Sequence, residues 1–143
     1  MPVVSYMSLS SEPPLVGVSC DKRSYTYRVV RMSRSFSICL LDRRMSASVE
    51  YLATHSGRES TDKLKAAGLE HTRGISLPVP VIVGSEAVLE CRLVSKRVTG
   101  DHVLVVGRVA TARASDDFDE YWSFRKYRPI LYTGWRNGLS TYD

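Results

Sequence analysis

The sequence predicts a mainly β domain with short helices, and three observations carry that prediction. Residues 75–115 hold β-rich runs punctuated by "GS" and "TGD" turns. Two short apolar runs, Leu15 to Cys20 and Ser35 to Leu41, precede them. Helix-spaced apolar residues occur only in brief stretches between and after those runs. So many strands in a small domain leave exposed edges, which closure into a small barrel removes.

The elements follow in chain order. "LVGVSC", Leu15 to Cys20, is rich in β-formers, and Pro13 and Pro14 bar a helix from entering it, so it reads as a buried strand. "TYRVVRMS", Thr26 to Ser33, places Tyr27, Val30 and Arg31 at helical spacing behind Thr26 as an N-cap. "SFSICLL", Ser35 to Leu41, passes from alternation to a wholly apolar run, as a strand entering a core does. "MSASVEYLATHSG" sets Met45, Val49 and Leu52 on one helical face, with Gly57 as the stop. A second short helix follows in "STDKLKAAGL", capped by Ser60 or Thr61 and closed by Gly68.

Beyond residue 75 the pattern is antiparallel sheet. From Ala87 to Val94, Val88, Glu90 and Arg92 alternate with Ala87, Leu89, Cys91 and Leu93, a strand with one wet face. "VTGDHVLVVGRV" reads as a hairpin turning at Gly100 and Asp101. In the last segment Pro129 precedes a short strand, "ILYTG". The acidic run 115–120 reads as a solvated loop.

The 143 residues suit one domain, 1–143, and 43% hydrophobic with 24% charged residues is the composition of a packed globule. No apolar run spans a bilayer and the first residues lack the form of a signal peptide, so the chain reads as cytoplasmic, with no membrane partner. Cys20, Cys39 and Cys91 are odd in number and lie in apolar segments, as buried free thiols do. A net charge of +5 fits an anionic partner, on a cofactor or on nucleic acid. The cations are dispersed and no RNP-like aromatic motif is present, which argues against nucleic acid.

Candidate chemistry is sparse. Gly-x-Ser-x-Gly, P-loop and Rossmann fingerprints are absent, and neither His55 nor His71 stands at i, i+4 from another ligand type, which argues against zinc. Asp21, Lys22, Arg23, Ser24, Tyr25 and Thr26 sit where a buried strand meets a helix start; free amides, cations and hydroxyls there suit a phosphate monoester. The same spacing also makes an ordinary solvated turn capped by Thr26. Ser5, Ser8, Ser10 and Ser11 fit the polar edge of a bound ring, or equally an exposed edge strand. His102, just after a turn, fits either a cleft-facing imidazole or a structural strand end.

Four stretches in order, "SSEPPLVGVSCDKRSYT", "SGRESTDKLKAAGL", "PVIVGSEAVLECRLVSKRVTGDHVLVVGRV" and "RPILYTG", together resemble the flavin reductase-like family, whose fold is the FMN-binding split barrel. The resemblance covers most of the chain. It implies a homodimer with one FMN per subunit, FAD being the alternative flavin, and NAD(P)H as co-substrate. An electron-acceptor protein or an oxygenase would be the partner; an electron carrier without fast NAD(P)H turnover and a flavin-free dimeric relative are the other family roles. Carried onto this sequence, it sets Ser8, Ser10 and Ser11 along the flavin and Asp21, Lys22, Arg23 and Thr26 around the phosphate. It sets Lys63 at the flavin tail or the partner subunit, and His102 on the nicotinamide side. Family members carry a further strand before the serine-rich segment, so the resemblance implies a barrel shortened at its N-terminus or a start further upstream.

Overall fold

Strand β1 (Tyr6–Ser10) turns into β2 (Leu15–Asp21), helix α1 (Tyr25–Ser33) crosses over, and β3 (Ser35–Leu40) follows. After a 3-10 turn (Arg43–Met45) come α2 (Ser46–Thr54), α3 (Lys63–Ala66), and the strands β4 (His71–Arg73), β5 (Pro80–Ile82), β6 (Ala87–Thr99), β7 (His102–Ala114), β8 (Ile130–Tyr132) and β9 (Leu139–Thr141). This computed structural model describes residues 1–3, 6–60, 62–116, 130–132 and 139–141. The main sheet has the order β1-β2-β7-β6-β3, all antiparallel; β4 pairs with β5 and β8 with β9.

The hairpin expected at Gly100 and Asp101 is present, with Thr99 opposite His102 and Gly100 at φ 62, a conformation natural to glycine. Val16, Val18 and Cys20 of β2, Phe36 and Ile38 of β3, and Val103 and Val105 of β7 form the main core, with Val30 of α1 laid over it. At Gly107 a Cβ would lie 2.5 Å from Phe36 Cζ and 2.8 Å from Cys91 Cβ, so this position admits only glycine if the β3 and β6 side chains are to seat. Cys20 and Cys91 are buried and Cys39 half-buried, all free thiols. Burial first, and then the charge of Glu90, push the Cys91 thiol up to about 12, so it stays protonated.

Several expectations are corrected. Full barrel closure does not occur among the described residues: β1 and β3 remain sheet edges. The sheet nevertheless curls until Tyr6 of β1 and Leu40 of β3 line one cleft of about 360 Å³ with Leu89 and Ala112. Helix α1 is capped by Ser24, whose Oγ accepts from the Tyr27 amide, so Thr26 stands inside the first turn. Helix α2 ends at Thr54 with an extended His55, ahead of Gly57, and α3 is capped by Asp62. Strand β8 covers 130–132 of the expected "ILYTG"; Pro129, Thr133, Gly134 and most of the acidic run lie outside the described residues, as do Ser5, Thr61 and both tryptophans.

The largest correction concerns Glu90. It is 1% exposed, on the face expected to be wet. That face of β3 and β6 is covered by the β4–β5 hairpin, whose Leu77, Val79 and Val81 pack on Val88 and Cys39. A half-sheet with a second layer buries both faces, so alternation alone does not tell which side meets water.

Candidate functional site

The β2 end delivers the charged cluster. Asp21 is Cα-paired with His102, and the Lys22 amide donates to the Asp101 carbonyl at 3.1 Å. Lys22 Nζ reaches the Gly100 carbonyl at 3.3 Å. The strand register therefore brings "DKR" and "GDH", 78 residues apart, to one sheet corner.

Within the turn, Asp21 accepts from the Arg23 amide at 2.7 Å and from its guanidinium at 3.1 and 3.3 Å. The Arg23 hydrogen bonds hold the Asp21 carboxyl below its ordinary range, so it is an anion near neutral pH. Asp21 thus orients Arg23; a second anion would be repelled by it and drawn to the guanidinium beyond, 80% exposed. Ser24 caps α1 at 3.1 Å, leaving the first-turn amides of Tyr25 and Thr26 without partners inside the helix.

Arg58, which the sequence reading missed, completes the corner. Its Nη2 donates to the Arg23 carbonyl at 3.2 Å. The loop that carries it is held by Ser56 and Glu59, and Gly57 lets it close on α1, since a Cβ there would lie 2.8 Å from the Tyr25 ring. A sequence signal was present in "SGR", a glycine allowing close approach before a cation, but its target lies 35 residues away. Lys22, Arg23 and Arg58, with the α1 amides and the Ser24 and Thr26 hydroxyls, make the donor set that a phosphate monoester requires.

His102 shares this corner, its Nδ1 2.7 Å from Asp101 Oδ1, which leaves Nε2 free to meet a ligand. The hydrogen bond from His102 holds the Asp101 carboxyl low. The serines lie elsewhere: Ser8 pairs with Val16 and Ser10 with Leu15, so Ser10 sits about 20 Å from the Asp21 end at ~3.3 Å per residue. Ser8 and Ser11 are exposed and Ser10 half-buried. Only a ligand extended along β2 touches both groups.

No hydrogen bond or ion pair among the described residues joins Lys63 to Lys22, Arg23 or Arg58, although the charge of Glu59 in the Arg58 loop acts on it. Its Nζ donates at 2.6 Å to the Leu52 carbonyl in the last turn of α2, where helix carbonyls lack partners, and burial lowers its pKa. Among the described residues no His, Cys, Asp and Glu cluster could hold a metal, and no helix is long and apolar enough to cross a membrane.

Comparison with known proteins gives the family to which the chain is similar. The flavin reductase like domain matches residues 1–131. An uncharacterized protein of Aeropyrum pernix is 35% identical over 130 residues, 90% of this chain and 49% of its own, so the chain spans about half of that relative. The reductase component of 4-hydroxyphenylacetate 3-monooxygenase from Thermus thermophilus is 30% identical over 133 residues, covering 92% of this chain and 79% of its own. A solved structure of an FMN-binding protein from Thermus thermophilus with bound p-hydroxybenzaldehyde superposes with a TM-score of 0.82 at 31% identity, covering 96% of this chain and 75% of that one.

Proposed function

We propose, from the premise that this chain belongs to the flavin reductase-like family, that it binds FMN and takes hydride from NADH or NADPH, delivering reduced flavin or electrons to an oxygenase or another acceptor. The observation that carries this is the corner itself: Lys22 reaches the Gly100 carbonyl, Arg23 is held by Asp21, Arg58 reaches the Arg23 carbonyl, and the capped start of α1 follows in the same turn. The names of the relatives support it, one being a monooxygenase reductase component.

The flavin supplies the redox chemistry when bound, by accepting a hydride and passing on its electrons. This chain's residues supply position. Lys22, Arg23 and Arg58 neutralise the phosphate, while Asp21 keeps Arg23 aimed. Ser8, Ser10 and Ser11 lie along the ring end of an extended ligand, and His102 presents Nε2 to the nicotinamide. No side chain need serve as acid or base for hydride transfer.

Purified protein mixed with FMN or with FAD, then anaerobically with NADH or NADPH, tests this by absorbance. Bleaching of the bound flavin within turnover time is expected. Bleaching by dithionite alone would reassign the chain to electron carriage, and failure to take up either flavin would overturn the reading. His102→Ala should retain flavin and slow reduction roughly ten- to a hundredfold, as misplacing a hydride donor does. An unchanged reduction rate would return His102 to a structural role.

The homodimer belongs to the same proposal. The outer face of β1, β2 and β7 exposes Met7 (51%) and Leu9 (41%), beside half-buried Leu104 and Val106. Gly17 lets Leu9 and Leu104 close over the strand between them, which makes this an apolar face fit to meet its copy in a second chain. Sedimentation equilibrium should return twice the chain mass, and Leu104→Arg should return one; a monomeric parent protein would rule this face out.

A further inference from the structure

Glu90 raises a question that the flavin site does not answer. A buried carboxylate is costly to desolvate, and this one is committed to a turn. Its Oε1 accepts from the Ile75 amide at 2.8 Å, and its Oε2 from the Ser76 and Leu77 amides at 2.9 Å each. Gly74 is required beside it, because a Cβ would lie 2.7 Å from Oε2. Ser76 is tied further to Thr111 through their hydroxyls, and Ser37 donates to the Pro80 carbonyl. The segment from 74 to 80 is thereby fastened to three strands of the main sheet.

That fastening sets what the segment shows to solvent. Leu77, Val79 and Val81 turn inward, so Pro78 and Pro80 stand outward as two rigid apolar rings. Arg73 is Cα-paired with Pro80, and His71, two residues before it in β4, projects from the same face of the strand. Both are exposed, and their side chains make no hydrogen bond or ion pair with any described residue. Together with Thr72 and Val79 they line a groove of about 500 Å³, within the range of small-molecule sites.

We propose that this groove binds a small aromatic carboxylate. The planar guanidinium of Arg73 offers two parallel donors matched to a carboxylate, and the imidazole of His71 adds a third. The proline rings offer a flat apolar wall to an aromatic face, which inorganic phosphate would leave uncovered. Glu90 acts as a positioning residue: with the wall fixed before binding, less ordering is lost on association. The site lies on the second layer and not on the β2 corner, so it is separate from the flavin contacts and does not depend on them.

Benzoate titrated into the full chain, with and without saturating FMN and followed by the proton resonances of the His71 imidazole at fixed pH, tests it. A saturable shift with Kd on the order of 1 mM suits so small a ligand. Arg73→Met, an exposed substitution, should weaken it at least tenfold, and benzamide or inorganic phosphate should shift the resonance far less. No saturable shift, equal affinity in Arg73→Met, equal binding of benzamide, or displacement of benzoate by FMN would each overturn the proposal. None of these outcomes bears on flavin reduction, which is read by absorbance.

Discussion

Glu90→Ala should lower the unfolding free energy by about 3–5 kcal/mol, with the urea midpoint as the measurement. The substitution strands three amides, that of Leu77 buried and those of Ile75 and Ser76 partly so, each costing up to about 1–3 kcal/mol without an acceptor. Glu90→Gln should cost less, because one carbonyl oxygen remains, although its NH2 group then faces a donor. The pH dependence has a definite sign. Burial raises the Glu90 pKa, but the three amides and the charge of Arg113 outweigh it and hold the carboxyl below its ordinary value of 4.5. The unfolded chain therefore binds the proton more readily. The stabilisation is fully present above about pH 4.5 and is lost as pH falls through the lower folded value. Parent protein should show a steeper acid limb than Glu90→Gln, which keeps only the contributions of other depressed carboxyls such as Asp21 and Asp101. Parallel acid limbs in the two proteins would place the titrating group elsewhere.

The same residue marks the limit of what the sequence made legible. Period-two alternation from Ala87 to Val94 identified the strand, and the Gly100–Asp101 turn set its pairing with β7. A strand's alternation separates its faces without saying what covers each one, so Glu90 read as solvent-facing. The covering layer left a trace in "LPVPVIV", where Leu77, Val79 and Val81 alternate with prolines. Three inward residues need a surface to lie on, and the face bearing Val88 was the one available. At the β2 corner the local part was legible, since Asp21 to Thr26 are contiguous. Arg58 and the Asp101–His102 pair reach that corner only through folding. The cap was displaced by two residues because Ser24 and Thr26 are chemically equivalent caps, and only the backbone, extended at Ser24 with φ -64 and ψ 143, decides between them.

The second large effect concerns the phosphate. Arg23→Ala combined with Arg58→Ala should weaken FMN binding roughly a hundredfold, through loss of two charge-assisted contacts. Both cations are exposed, so part of their attraction is screened; FMN affinity of the parent should fall with added salt and that of the double variant should fall less. Riboflavin distinguishes the phosphate subsite from the ring subsite, because it keeps the ring and lacks the phosphate. If the cations meet the phosphate, riboflavin affinity should be nearly equal in parent and variant, and the advantage of FMN over riboflavin should largely disappear. Removing Arg23 also frees Asp21, whose carboxylate then faces the phosphate without its partner. The loss from Arg23→Ala should therefore exceed that from Arg58→Ala, and Asp21→Asn on the Arg23→Ala background should recover part of it. Equal losses for riboflavin and FMN would mean that the substitutions deform the corner as a whole. Unchanged FMN titrations would move the phosphate away from α1 altogether.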